Sequence, residues 1–309
     1  MKKKAIIIGV SVVVVVAIVV LVLTLGILSR PAADKIAVIP LSGTITMQDS
    51  SLFSGITITP NLVETYLTRA EKDKTVKAIV LRIESPGGEI APCQEILWEI
   101  ERVKEAKPIV VSMGGTAASG GYYISTKADK IVALPTTMTG SIGVISQIVN
   151  VEGLLVKLGI QIETFKGGKY KDMYRGLRNM TSEEEEIMQK LVDEYYEQFI
   201  EVVAEGRGLS REEVRNLATG QIYTGTEAKE LGLVDALGGL DTALNLAMEL
   251  ADIEVARVEY YQPPRVTLWS LLGFTDAIRV RLSGLSAQDI ILLEILNHDY
   301  RQPLFLYQS

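Results

Sequence analysis

The stretch "VKAIVLRIESPGGE", residues 76–89, carries a β-branched apolar run straight into a proline and two glycines. Apolar runs of this kind bounded by turn residues are strands. Shortly after it, "EILWEIERVKEA", 95–106, repeats its apolar residues at helical spacing. Strand, glycine turn and helix in that order make one α/β unit, and the flanking sequence repeats it. Strands are expected at 35–42, at 108–115 ("PIVVSMGG") and at 129–135 ("DKIVALP"), with a helix at 61–73 ("NLVETYLTRAEKD"). Strands alternating with helices imply a mostly parallel sheet. "TGSIGVISQIV" and "IQIETF" extend the pattern to about residue 165.

A long helix is expected at 180–208, opening on the capping box Thr181 to Glu184 and closing on glycine. The run of four glutamates there suits a helix first turn, where acids complement the dipole. "SREE" at 210–213 and "TGTE" at 224–227 begin further helices by the same capping pattern.

The two ends read differently. After Lys2, Lys3 and Lys4, residues 5–28 hold no charge, and about 20 apolar residues suffice to cross a bilayer core as a helix. The run is longer than a secretory signal's apolar core and lacks a good small-x-small cleavage site. It is therefore expected to stay as an anchor, residues 1–4 being cytoplasmic by the excess of leading lysines. Residues 29–262 would form the extracytoplasmic domain, and 263–309, which leave the alternating pattern, a separate tail.

The chain has 309 residues and a net charge of −7, with no basic run beyond the three leading lysines, which argues against nucleic-acid binding. Its one cysteine, Cys93, excludes an internal disulfide and reads as a small buried side chain. Its one histidine, His298, lies close to the C-terminus. A Ser-His-Asp mechanism and a histidine-rich zinc site are both poorly served by that count, and neither metal nor cofactor is expected.

Four short segments on the βα connections carry the chemistry. "ESPGG", 84–88, offers backbone N–H groups of the kind that bind an oxyanion or simply make a turn. "TAASGGYYIS", 116–125, sets Ser119 among the smallest side chains. That suits either a nucleophile with Gly120 as a donor or tight helix packing. "TGSIG", 139–143, holds Ser141, and "FKGGKYKDM", 165–173, holds Lys166, Lys169 and Lys171. A lysine replaces histidine as a base only when neutral, which near pH 7 asks for a fall of about 3 pKa units, roughly 4–5 kcal/mol. Residue types alone do not choose among the three lysines.

"SPGG", "AASGGYYIST", "TGSIGVI" and the "KGG.YKD" pattern, in this order, resemble the signal peptide peptidase family of the SppA type, in its short membrane-anchored form. The likeness runs from about residue 35 to about 245. It implies a Clp protease/crotonase-like fold with repeated ββα units after one N-terminal transmembrane helix, and a Ser/Lys peptidase acting on signal-peptide remnants and other unfolded apolar peptides. It further implies Ser119 as nucleophile, Lys171 as general base, Ser141 as the group orienting that lysine, and Gly88 and Gly120 as the oxyanion hole. A single chain would supply both members of the dyad. Relatives of this kind also lead to the expectation of a closed homo-oligomer of eight subunits, for which the amphipathic helix at 183–205 and the apolar "IILLEIL" at 290–296 offer surfaces. Two rivals stand beside it: a crotonase-fold acyl-CoA enzyme using Glu84 or Glu89, and an inactive membrane scaffold.

Overall fold

The computed structural model describes residues 33–48, 57–261 and 304–306. The expected anchor at 5–28 lies outside them, as does most of the tail at 263–309. Among the described residues no helix is long and apolar enough to cross a membrane.

In chain order, Lys35–Ser42 forms β1, Thr44–Ile45 β2, Thr57–Ile58 β3, Pro60–Lys72 α1, Val76–Ser85 β4, Gly87–Glu89 β5 and Ile90–Lys104 α2. Ile109–Ala118 is β6, Gly120–Ser125 α3, Lys130–Ala133 β7, Met138–Gly140 β8, Glu152–Lys157 α4, Ser182–Arg207 α5 and Arg211–Leu217 α6. Ile222–Thr224 is β9, Gly225–Glu230 α7, Ala236–Leu237 β10, Leu240–Leu250 α8, Arg257–Tyr260 β11 and Leu304–Leu306 β12. The fold is a mixed α/β one. Its main sheet runs β10-β7-β6-β4-β1-β11, every neighbouring pair parallel. Two strand-strand-helix units recur, β4-β5-α2 and β7-β8-α4.

Strand β4 sits at the centre because both its faces are apolar. Ile79, Leu81 and Ile83 point into the larger core, while Ala78 and Val80 join Ile36, Val38, Val110 and Val132 beneath α8. Such near-continuous apolar strands belong to parallel sheets covered on both sides. Helices α1, α2, α3 and α5 close the other face with Leu67, Ile96, Ile100, Tyr122 and Phe199, all buried. The three expected capping boxes all form, at Thr181 with Glu184, Ser210 with Glu213 and Thr224 with Glu227.

Two expected strands differ from what the chain forms. In "TGSIGVISQIV" the strand stops at Gly140, and "IQIETF" forms none. Ile160, Ile162 and Phe165 are exposed, Phe165 to 92%. A strand needs a partner ladder and a face to bury, and this segment has neither among the described residues. It belongs instead to an arm that leaves after Val149 and returns at Gly176, closed at its root by Val151 N–H to Gly176 O at 2.8 Å and Asn150 Nδ2 to Asn179 Oδ1 at 2.8 Å.

A second, small sheet runs β12-β5-β2-β3. Leu304–Leu306, from the segment expected to be a separate tail, pairs antiparallel with Gly87–Glu89.

The underside of α3 tests this packing. The Tyr123 and Phe199 rings meet edge to face at 5.1 Å, so Phe199→Ala should cost about 3–5 kcal/mol. The expected result is a lower urea midpoint with an unchanged slope.

Candidate active site

Ser119 occupies the turn between the end of β6 and the start of α3, with φ 52° and ψ −116°. A non-glycine residue there is strained by roughly 1–3 kcal/mol, so the surroundings must hold it. They do so through Ser119 N–H to Gly140 O at 2.8 Å and Tyr123 N–H to Ser119 O at 2.8 Å. Tyr122 and Tyr123 are buried beneath, their hydroxyls donating to Leu233 O at 3.0 Å and Gln94 Oε1 at 2.9 Å. Ser119 is 1% exposed, and its Oγ is buried without a hydrogen-bond partner among the described residues. Buried hydroxyls are normally paired; an unpaired one at a strained turn is poised for something from outside the chain.

The small neighbours answer to crowding. A Cβ on Gly120 would lie 2.7 Å from Cys93 Sγ and 3.1 Å from the Gly88 amide nitrogen, and one on Gly88 would lie 1.9 Å from Ile45 O. The "PGG" turn and the residue after Ser119 are thereby pressed together, and only glycine fits at either. Cys93 is buried against this contact, and burial pushes its thiol pKa well up. Gly87, at φ 112°, needs the freedom only glycine has, and its N–H is held by Ser85 Oγ at 3.1 Å.

Ser141 comes to the same place by a different route. Strand β8 pairs with the end of β6, Ala118 opposite Gly140, and antiparallel with β9. Ser141 then turns away at φ 49°, its N–H donating to Gln221 O at 2.8 Å. A cleft of about 250 Å³ opens beside it, walled by Val144, Ile145, Tyr196 and Ala218. The carbonyls of Gly140 and Gln221, which fix both serines, could not be picked out beforehand, because any residue has one.

The lysines separate. Lys166 Nζ is bound by Asp172 at 2.5 Å and by Lys169 O at 3.0 Å. Lys169 pairs with Glu183, whose carboxylate raises its pKa. Lys171 is exposed and makes no side-chain hydrogen bond or ion pair among the described residues. It lies on the arm, beside a hollow of about 480 Å³ walled by Phe165, Lys166, Asp172 and Arg175. The structure brings Ser119, Gly120, Gly88 and Ser141 together; it does not join Lys171 to Ser119 by a hydrogen bond within one chain.

The two carboxylates that a crotonase-type reaction would call on are both engaged with the protein itself. Glu84 accepts from the N–H groups of Gly115 at 2.7 Å and Thr116 at 2.9 Å. Glu89 accepts from Thr46 Oγ1 at 2.8 Å and Met47 N–H at 3.3 Å.

A serine held in a strained strand-to-helix turn beside two glycine amides defines a hydrolase of the acyl-transfer kind. The profile of peptidase family S49 matches residues 101–254, and that of Clp protease residues 51–147. A protein of Enterococcus faecium named as a signal peptide peptidase, SppA, is 40% identical over 88% of this chain and 81% of its own. A Synechocystis protein named as a protease is 37% identical over 77% of this chain and 87% of its own. One from Methanocaldococcus jannaschii, also named as a protease, is 41% identical over 62% of this chain, the match spanning 61% of its own length. The chain belongs to peptidase family S49 and is a serine peptidase with a Clp protease-like domain.

The root of the lysine arm is an ion network. Arg178 donates to Asp172 Oδ1 and Oδ2 at 2.9 Å and to Glu184 at 2.6 and 2.8 Å. The Arg178 guanidinium holds the Glu184 carboxyl down at about 2 and that of Asp172 well below the usual carboxylate range. Both carboxyls are more acidic folded than unfolded, so the support they give is complete above the ordinary carboxylate range and lost as pH falls through the folded values. Amides at 172–179 should therefore keep their hydrogen-exchange protection at pH 4 and lose it toward pH 2. Loss already at pH 5 would contradict this network.

Proposed function

We propose that the chain is a membrane-anchored endopeptidase in which Ser119 is the nucleophile, Lys171 the general base and Ser141 the group that orients the base. The amides of Gly88 and Gly120 form the oxyanion hole. The observation that carries this reading is the buried Ser119 Oγ, without a partner among the described residues, in a strained turn packed against Gly88. Ser119 Oγ attacks the peptide carbonyl carbon as neutral Lys171 takes its proton, and the oxyanion develops toward the two amides. The C–N bond then breaks, the amine departs with the proton from Lys171, and water drawn through the same lysine hydrolyses the serine ester.

The substrate class we assign is unfolded apolar peptide, including signal-peptide remnants, the activity named for the Enterococcus faecium relative. Leu304–Leu306 lies antiparallel along Gly87–Glu89, and this is the pose we assign to a substrate backbone: an added strand, gripped by main-chain hydrogen bonds. The uncharged segment 5–28 would hold the domain at the outer face of the membrane, where such peptides are released.

The reading also takes a second copy of the chain, in place of the single-chain dyad expected from the sequence. Lys171 sits exposed on an arm that presents Leu154, Val156, Ile162 and Phe165 to solvent. Contiguous exposed apolar surface marks an interface. Seated on a neighbour, the arm would bury that surface and carry Lys171 to the neighbour's Ser119 and Ser141, where burial removes the water that keeps a lysine charged. Repeated around a closed ring, expected to hold eight subunits, every site is completed the same way.

Ser119→Ala and Lys171→Ala should each reduce cleavage of an apolar peptide by about 10³-fold or more with the fold retained, since paired catalytic groups fail as a unit. Lys166→Ala and Lys169→Ala should cost less than about tenfold by the same measure. Activity surviving in Lys171→Ala and lost in Lys169→Ala would overturn the choice of base.

Subunit mixing tests where the base comes from. Ser119→Ala and Lys171→Ala chains, inactive alone, should regain about a quarter of the parental sites when refolded together in equal amounts, because an exchanged pair restores one intact site. No recovery in a mixed oligomer would place both groups on the same chain.

A further inference from the structure

Strands β4 and β6 run in register from Ile79 opposite Ile109 to Ile83 opposite Met113, and then Ser85 stands opposite Ala117. Over that last step β4 advances two residues while β6 advances four. The surplus lies at Gly114, Gly115 and Thr116, which have no partner on β4, so the N–H groups on that side need other acceptors. Glu84 supplies them. Its Oε2 takes the Gly115 N–H at 2.7 Å and its Oε1 the Thr116 N–H at 2.9 Å. The fit is close: a Cβ on Gly114 would lie 1.9 Å from Glu84 Oε2.

This bulge sets where Ser119 arrives. Ser85, the residue after Glu84, pairs with Ala117 and also holds the Gly87 N–H. Three residues beyond Ala117, Gly120 presses on the Gly88 amide. A flush ladder in place of the bulge would shift the end of β6 by two residues, about 6–7 Å, and carry Ser119 past the glycine turn. We propose that Glu84 is a positioning residue for catalysis: its carboxylate locks the β6 bulge and so sets the register of Ser119 against the Gly87–Gly88 turn. A carboxylate is required because both partners are donors. An amide there turns its own N–H₂ toward one of them. The inference rests on Ser119 being the nucleophile.

The experiment uses the full chain in detergent, with an apolar peptide substrate and a fluorophosphonate probe for Ser119. Glu84→Gln is expected to lower kcat by about 100-fold, the scale for a misplacement of about 1 Å, with KM within about twofold and labelling of Ser119 slowed by the same factor as kcat. Gly114→Ala, whose new methyl collides with the flexible Glu84 carboxylate and meets the Ile83 carbonyl oxygen at 3.2 Å, a contact that a small shift relieves, should fold and reproduce the loss. Equal labelling of parent and Glu84→Gln overturns the role of Glu84 and leaves the serine-peptidase site standing; a parent that the probe does not label at Ser119 overturns both. Should Glu84→Gln fail to fold, Gly114→Ala decides: parental kcat in that variant overturns the proposal. A fall in KM terms alone, with labelling unchanged, also overturns it.

Discussion

Everything around the site answers to the backbone at Ser119. A serine at φ 52° and ψ −116° does not stay there by preference, and the cost of roughly 1–3 kcal/mol has to be met by contacts that exist only in this conformation. The Gly140 carbonyl takes its N–H, which obliges β8 to lie against the end of β6. The Gly88 turn presses on Gly120, which forbids a side chain at either place. The two tyrosines behind it are fully buried and hydrogen-bonded, so α3 cannot swing to relieve the strain. One sharp turn thus determines why β6 ends where it does, why its neighbours are small, and why a hydroxyl is buried without a partner.

The parts of this arrangement that were legible in the sequence are those whose cause is local. Thr181 and Glu184 cap a helix through atoms three residues apart, and the apolar run of β4 announces burial on both faces whatever lies alongside. The arm was misread for a matching reason. "IQIETF" has the composition of a strand, but composition reports a need for burial and not who provides it; with Phe165 92% exposed, none of the described residues provides it. The β6 bulge was equally hidden. Nothing in "SMGGTAA" says that Gly114 to Thr116 lose their pairing with β4, because the reason is a carboxylate about thirty residues earlier in sequence.

Carboxylates near the site are consistently occupied. Glu84 and Glu89 clamp backbone on either side of the glycine turn, and Asp172 and Glu184 are tied to Arg178 at the root of the arm. For a net negative chain this has a chemical consequence. A free carboxylate beside a lysine stabilises the ammonium form and spoils it as a base. Lys169, paired with Glu183, is unsuited for that reason, Lys166 is tied to Asp172, and Lys171, which follows both, has no carboxylate partner among the described residues.

If the base is carried on the exposed arm, as proposed above, activity becomes conditional on assembly. In the arrangement proposed above, a lone chain has its nucleophile strained and ready but its lysine in water, where the ammonium form is favoured. Contact with a neighbour would remove water from the arm's apolar side chains and from Lys171 in the same step, so that the burial which drives association also neutralises the base. Hydrophobic association and general-base catalysis are then one desolvation event. A peptidase able to cut unfolded chains would gain its activity only inside the enclosure that keeps folded proteins out.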